Sequence, residues 1–199
     1  MRRSLRSPLP AFGLLSLLAL SPLLSGCDDE GGLDLNGEYF AEVTGDVTSD
    51  LAGEAFYTTF DGPDGPTFVL LFFRDNLRDN DEDAYAYVAL WRDGTAPGVG
   101  VYPISSVDPS PETFSGSYTD LVDAETPEAS GPAISATTGV LTITDFDTGE
   151  LTGSFRFDGE GLFLPETDTF IGASVSGTFV ANFIDPGLID GLSIDFDFD

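Results

Sequence analysis

The 199-residue chain carries 35 Asp and Glu against 7 Lys and Arg, with no His and one Cys. Without histidine and with a single thiol, Ser-His-Asp and Cys-His nucleophile systems, an imidazole base and the usual Cys/His zinc sites are all excluded. A formal net charge of -28 argues against nucleic acid, because affinity for phosphate backbones comes mainly from Lys and Arg.

Residues 1–26 read as a signal peptide. Arg2, Arg3 and Arg6 make a basic start, and the apolar stretch from Leu9 to Leu24 is broken by Pro10 and Pro22, too short and interrupted for a membrane-spanning helix. Leu24-Ser25-Gly26-Cys27 then resembles the lipobox of bacterial lipoproteins: a branched aliphatic, two small residues and the cysteine. That resemblance implies lipid attachment at Cys27, through a diacylglyceryl thioether and usually an amide-linked third chain. One acyl chain anchors a protein only marginally, whereas two or three hold it durably. The membrane is thus an expected partner, reached through the anchor. No later segment approaches 18 consecutive apolar residues, so no second crossing is expected.

Residues 27–34 form the lipidated Cys and an acidic tether, opening Asp28-Asp29-Glu30-Gly31-Gly32. The seven residues from Asp28 to Asp34 reach at most about 25 Å, so the folded part is expected close to the bilayer. In some Gram-negative bacteria an Asp after the lipidated Cys retains a lipoprotein in the inner membrane, whereas in others an acidic cluster here resembles a surface-export signal. Plain solvation of a tether is the third reading. The expected location is the cell envelope, lipid-anchored, with outer membrane or cell surface favoured over inner membrane.

From residue 28 onward the chain holds all 35 acids and four Arg, a balance of -31. Lysine is absent and Asp outnumbers Glu, 24 to 11, which resembles the surfaces of halophilic proteins. Such charge strains a compact state until salt screens it. Disorder is not the expectation, since 41% of the chain is apolar and 17 Phe are present.

Along residues 35–184 the apolar period is two. Strands are expected near Glu38–Thr44, with Tyr39, Ala41 and Val43 on one face, and near Glu54–Phe60. The turn-rich Asp61-Gly62-Pro63-Asp64-Gly65-Pro66 follows. Thr67–Phe73 is a continuous apolar run that suits a strand covered on both faces, while Arg74–Asp83 reads as a charged loop. Ala84–Trp91, Gly98–Ile104, Thr113–Leu121, Ala133–Phe146, Glu150–Asp158 and Thr169–Phe183 complete the set, with Asp147-Thr148-Gly149 a tight hairpin. The expected fold is all-β, an antiparallel β-sandwich or partly open barrel of about nine strands. Residues 185–199 follow as an acidic tail or edge strand, and no amphipathic helix stands out.

Four segments place a glycine two residues before an aromatic: Gly37 and Tyr39, Gly116 and Tyr118, Gly153 and Phe155, Gly177 and Phe179. The expectation is a bulge or close backbone approach at each strand start, with the aromatic turned into the core. The Gly139–Thr144 run, Leu151–Phe157 and Val175-Ser176-Gly177-Thr178-Phe179 resemble elements of a group of uncharacterised bacterial lipoproteins with β-rich domains. That resemblance implies a β-sandwich on a lipid anchor and transfers no activity.

For chemistry, Asp79, Asp81 and Asp83 match the first three ligand positions of a calcium loop, but Ala84 and Leu90 replace the turn glycine and the bidentate Glu. The loop is therefore not an EF-hand; a looser Ca2+ site is the one cofactor candidate, against a solvated hairpin loop. Tyr85, Tyr87 and Trp91 share one strand face and suit a sugar-stacking platform, against the alternative of sheet cover. Paired carboxylates suit glycan hydrolysis, but 35 acids single out no pair. The expectation is a non-catalytic lipoprotein with a glycan or envelope protein partner; the alternative is a carboxylate-based glycan hydrolase or carbohydrate-binding module.

Overall fold

A computed structural model describes residues 37–62, 65–74, 84–106, 110–122, 130–147, 149–164 and 169–189. In chain order these form β1 (Glu38–Gly45), β2 (Ser49–Gly62), β3 (Gly65–Arg74), β4 (Ala84–Asp93), β5 (Gly100–Ser105), β6 (Ser115–Val122), β7 (Gly131–Asp147), β8 (Glu150–Leu164), β9 (Phe170–Phe183) and the single turn α1 (Pro186–Ile189). The ring β7-β6-β4-β3-β2-β1-β9-β8 returns to β7, so the sheet closes into an eight-stranded barrel. Of the two expected architectures the barrel is the one formed, and it is closed.

Two long strands make the closure. β7 spans 17 residues and pairs along one edge with β8. Its other edge is shared, with Ala133–Ser135 on β6 and Thr138–Ile143 on β5, so β5 is an extra strand beside the ring. β9 outruns the start of β1 and touches β2 directly, Phe56 and Tyr57 lying parallel to Asn182 and Phe183. Every other strand pairing is antiparallel. A closed ring leaves no long open edge for other chains to extend.

Alternation decides what faces inward. In β1, Tyr39, Ala41 and Val43 are buried while Glu38, Phe40 and Glu42 are exposed. The interior is filled by side chains. The Phe72 ring lies 5.3 Å from Tyr39, 4.9 Å from Phe155 and 5.2 Å from Phe179. Each such ring buried adds roughly 1.5–3 kcal/mol of transfer free energy, and each ring pair about 0.5–1.5 kcal/mol more.

The glycine and aromatic pairs explain how four rings fit. Tyr39, Tyr118, Phe155 and Phe179 all point inward, as expected. Gly153 and Gly177, however, lie inside β8 and β9, not at strand starts, and the register opposes Gly153 to Phe179 and Phe155 to Gly177. Each ring lies over the other strand's glycine, so the motif provides space across strands. The register shifts of β7 fall elsewhere, at Ala136/Thr138 and Ile143/Asp145.

β3 is covered on both faces, as its apolar run predicts. Phe68, Leu70 and Phe72 face the interior, and Val69, Leu71 and Phe73 join Phe56, Ala89 and Ile184 in a second cluster outside the barrel. Several boundaries differ from expectation, and three bear on the argument. β2 begins at Ser49, extending across Asp50 and Gly53; Arg74 belongs to β3; and β8 runs on through Gly159 and Gly161 to Leu164. At Gly161 the β7 backbone approaches so closely that a Cβ would meet the Ala133 carbonyl at 1.9 Å, so the glycine marks contact and not a turn. Asp147 pairs with Glu150, and Gly149 takes φ +92° in the connection, as the expected hairpin requires.

Candidate functional site

Cys27 and the acidic trio Asp79, Asp81 and Asp83 lie outside the described residues. The segment holding the trio joins β3 to β4, whose last cross-strand pair is Phe73 with Tyr87. Among the described residues no group of three or more His, Cys, Asp or Glu is placed to hold a metal ion. No helix among them is long and apolar enough to cross a membrane.

Of the aromatic platform, Tyr85 lies in β4 opposite Leu121. Tyr87 and Trp91 are on the outer face and pack against the second cluster, Tyr87 with its ring 6.0 Å from Phe73. Both are half-buried. They border an apolar panel and share its contacts, which leaves less open ring surface than a free-standing stacking platform would show.

The alternation of β1 also sets one aromatic outward. Phe40 is 60% exposed, an aromatic standing outward between Glu38 and Glu42. Around it lies a depression of about 610 Å³ lined by Phe40, Glu42, Asp50, Ala52, Ser176 and Thr178, reaching Ala41, Leu51, Phe155 and Gly177. The register orders its chemistry into rows. Ala52, Phe40 and Thr178 are aligned across β2, β1 and β9, and Asp50, Glu42 and Ser176 form the next row. An apolar ring is thus flanked by two directly opposed carboxylates and by hydroxyls. The combination suits a ligand with an apolar face and either hydroxyl or cationic groups. The signal in the sequence was one aromatic on an otherwise acidic strand face.

Two further polar constellations occupy the ends of the barrel. At one, Arg74 donates to Asp120 at 3.0 and 3.5 Å and to the Ser49 hydroxyl at 2.7 Å, while the Tyr118 hydroxyl donates to Asp120 at 3.1 Å. Burial, then the charge of Asp120 and the hydrogen bond to it, hold the Tyr118 phenol well above its usual range; a bond with Ser49 and the charge of Arg74 act against this. At the other end Arg92 is 92% buried, being 8% exposed, and donates to the carbonyls of Thr95, at 2.9 Å, and Pro111. Its guanidinium sits 5.5 Å from the Tyr102 ring centre and 5.6 Å from that of Phe114. Burial lowers its pKa, and its Nε has no hydrogen-bond partner. Both constellations tie neighbouring segments of chain together: Ser49 of β2 to β3 and β6, and the segments around Thr95 and Pro111 to β4.

No known protein family matches the chain, and neither a curated protein nor a solved structure matches it.

Proposed function

We propose that the chain is an acylated cell-envelope lipoprotein whose barrel is a non-catalytic domain for binding or surface structure. The lipobox Leu24-Ser25-Gly26-Cys27 supports the anchor, since the one cysteine stands where acylation would use it. The observation that carries the binding reading is the Phe40 depression on a barrel whose interior is filled with side chains. Ligand contact therefore falls on the outer wall, where Phe40 stands exposed among carboxylates and hydroxyls. An anchor at Cys27 followed by a short acidic tether would keep the domain within reach of the envelope, which favours a glycan or another envelope protein as partner. Outer membrane or cell surface is the favoured location.

The test has two arms. Cys27→Ala abolishes labelling by a palmitate analogue and releases soluble or unprocessed protein; undiminished labelling would remove the anchor. Phe40→Ala weakens retention on envelope glycan or on the isolated partner while thermal stability stays close to wild type, because the ring is largely in water. Equal retention by both proteins would count against the depression.

The second reading, a glycan hydrolase or carbohydrate-binding module, draws on the same place. Glu42 and Asp50 are cross-strand partners, and hydrolysis uses two carboxylates about 5–10 Å apart. Both are exposed to water, whereas such chemistry depends on a sheltered carboxyl that stays protonated. Release of reducing sugar by wild type and not by Glu42→Gln would favour the enzyme.

A further inference from the structure

We infer that the Phe40 depression holds a positively charged side chain, a lysine or arginine presented by a basic segment of an envelope protein. The inference rests on the reading of that depression as the binding place, and it decides between the two partner classes. Three exposed carboxylates surround one outward ring. Glu38 and Glu42 stand two residues to either side of Phe40 on the same face of β1, each about 6.6 Å along the strand. On β2, Asp50 is directly opposite Glu42, and the short Ala52 is directly opposite Phe40, whose ring keeps 60% of its surface in water.

Like charges that face each other across a strand pair cost stability. Here Glu42 and Asp50 do so beside an aromatic ring, whose face attracts a cation electrostatically. One ammonium or guanidinium over Phe40 answers both features, relieving the repulsion between the carboxylates and gaining the ring. An uncharged sugar would find an apolar face in Phe40 and hydroxyl partners in Ser176 and Thr178, but it would leave the two carboxylates opposed. The balance of -31 beyond residue 27 acts in the same direction, because the summed field raises the local concentration of basic partners and speeds their approach. Beyond Glu42 the row continues through Ser176 to Arg156, which is exposed on β8. Two strand spacings, about 10 Å, separate Glu42 from Arg156. The cation is therefore confined to the β1 and β2 side of the depression, and the partner's residue that lies toward β8 is neutral or acidic.

Titration of the full chain with tetralysine amide tests this, because the ring can be changed without changing the charge. At about 0.15 M salt, Phe40→Leu weakens tetralysine binding about threefold while Phe40→Trp preserves or tightens it, the order that a cation over a ring requires. Glu42→Gln/Asp50→Asn weakens it about fivefold, whereas Asp147→Asn/Glu160→Gln, which removes two exposed carboxylates elsewhere, changes it less than about twofold. Equal affinity for tetralysine in wild type and Phe40→Leu, or equal losses in the two neutralised pairs, would reduce the binding to the general field of the chain and overturn the inference. Chitotetraose, an uncharged glycan, separates that failure from failure of the depression itself. If chitotetraose needs Phe40 and tetralysine does not, the cation is overturned and the depression stands as the binding place; if neither needs Phe40, both fall. Deacetylated chitotetraose that binds more tightly than tetralysine, and needs Phe40 to do so, would overturn the protein partner in favour of an amino sugar.

Discussion

Phe155 of β8 and Gly177 of β9 are directly opposed, and a Cβ at 177 would stand 3.0 Å from the Phe155 ring and 2.8 Å from the Ala41 Cβ. Gly153 bears the same relation to Phe179, at 2.8 Å. The barrel interior accepts four clustered rings because two inward positions carry no side chain.

Gly177→Val should therefore destabilise the domain by roughly 2–3 kcal/mol through overpacking, a larger loss than β-propensity alone would offset. Phe155→Leu in the same chain should return part of that loss, because the smaller side chain vacates the space that Val needs. Urea unfolding of the two single variants and the double variant checks this. Strict additivity would show that the ring and the glycine do not share one space.

Arg92 makes a second prediction. It is buried among two carbonyls and two rings, with no carboxylate in ion-pair range among the described residues, in a chain where acids outnumber bases five to one. Its planar fork reaches both Thr95 and Pro111, a geometry that lysine cannot reproduce. Arg92→Lys should cost about 1–3 kcal/mol despite keeping the charge. A lysine variant with the wild-type denaturation midpoint would show that charge over the rings, and not the fork, is what matters.

Much of this architecture is legible in the sequence, and the illegible parts have physical reasons. Period-two alternation in β1 assigns Tyr39, Ala41 and Val43 to the interior, and the run Val69–Phe73 announces a strand covered twice. Boundaries go astray where turn-type residues serve another purpose, as Gly53 does in β2 and Gly159 and Gly161 do in β8. Closure is not legible, because alternation reports which face is buried and not which strand is adjacent. Nothing local in the 17 residues of β7 reveals that one of its edges serves both β5 and β6. The Phe40 depression is half legible: the outward aromatic can be read from its acidic neighbours, but Asp50, Ser176 and Thr178 meet it only through register.

Asp79, Asp81 and Asp83 carry two readings, a solvated hairpin loop and a loose Ca2+ site, and titration separates them. The segment carrying them connects β3 to β4, which pair directly. Calcium takes six to eight oxygens, so Asp75, Asn80, backbone carbonyls or water would complete the set. Calorimetric titration in high monovalent salt should give a saturable heat that Asp79→Asn/Asp81→Asn loses. An identical heat from that variant would leave the segment a charged turn.

Salt should stabilise the domain. With 35 acids and four Arg beyond residue 27, self-repulsion opposes the compact state, and the Debye length falls from about 8 Å at 0.15 M to about 3 Å at 1 M. Tm should rise markedly between about 0.1 M and about 2 M KCl. A flat or falling Tm over that range would reject the halophile-like reading of the surface.

Alkaline pH should unfold the domain earlier than its carboxylates alone would suggest, and Tyr118 is the reason. Its hydroxyl is inside the barrel, donating to Asp120 beside Arg74, and burial with the Asp120 charge raises its pKa in the folded state. In the unfolded chain the phenol titrates near 10.0. Below that value both states hold the proton and the contribution to stability is complete. Above it the unfolded chain releases the proton while the folded barrel retains it, so stability falls as pH rises, with a slope approaching 1.4 kcal/mol per pH unit, to order of magnitude. Tyr118→Phe should cost about 1 kcal/mol at neutral pH, through the lost hydrogen bond to Asp120, yet show a shallower decline above pH 10. Tyr57, whose pKa burial also raises, keeps part of the slope in that variant. Urea unfolding from about pH 8 to about pH 11.5 distinguishes the two proteins. Parallel stability curves across that range would mean that the Tyr118 proton is not what the folded barrel holds.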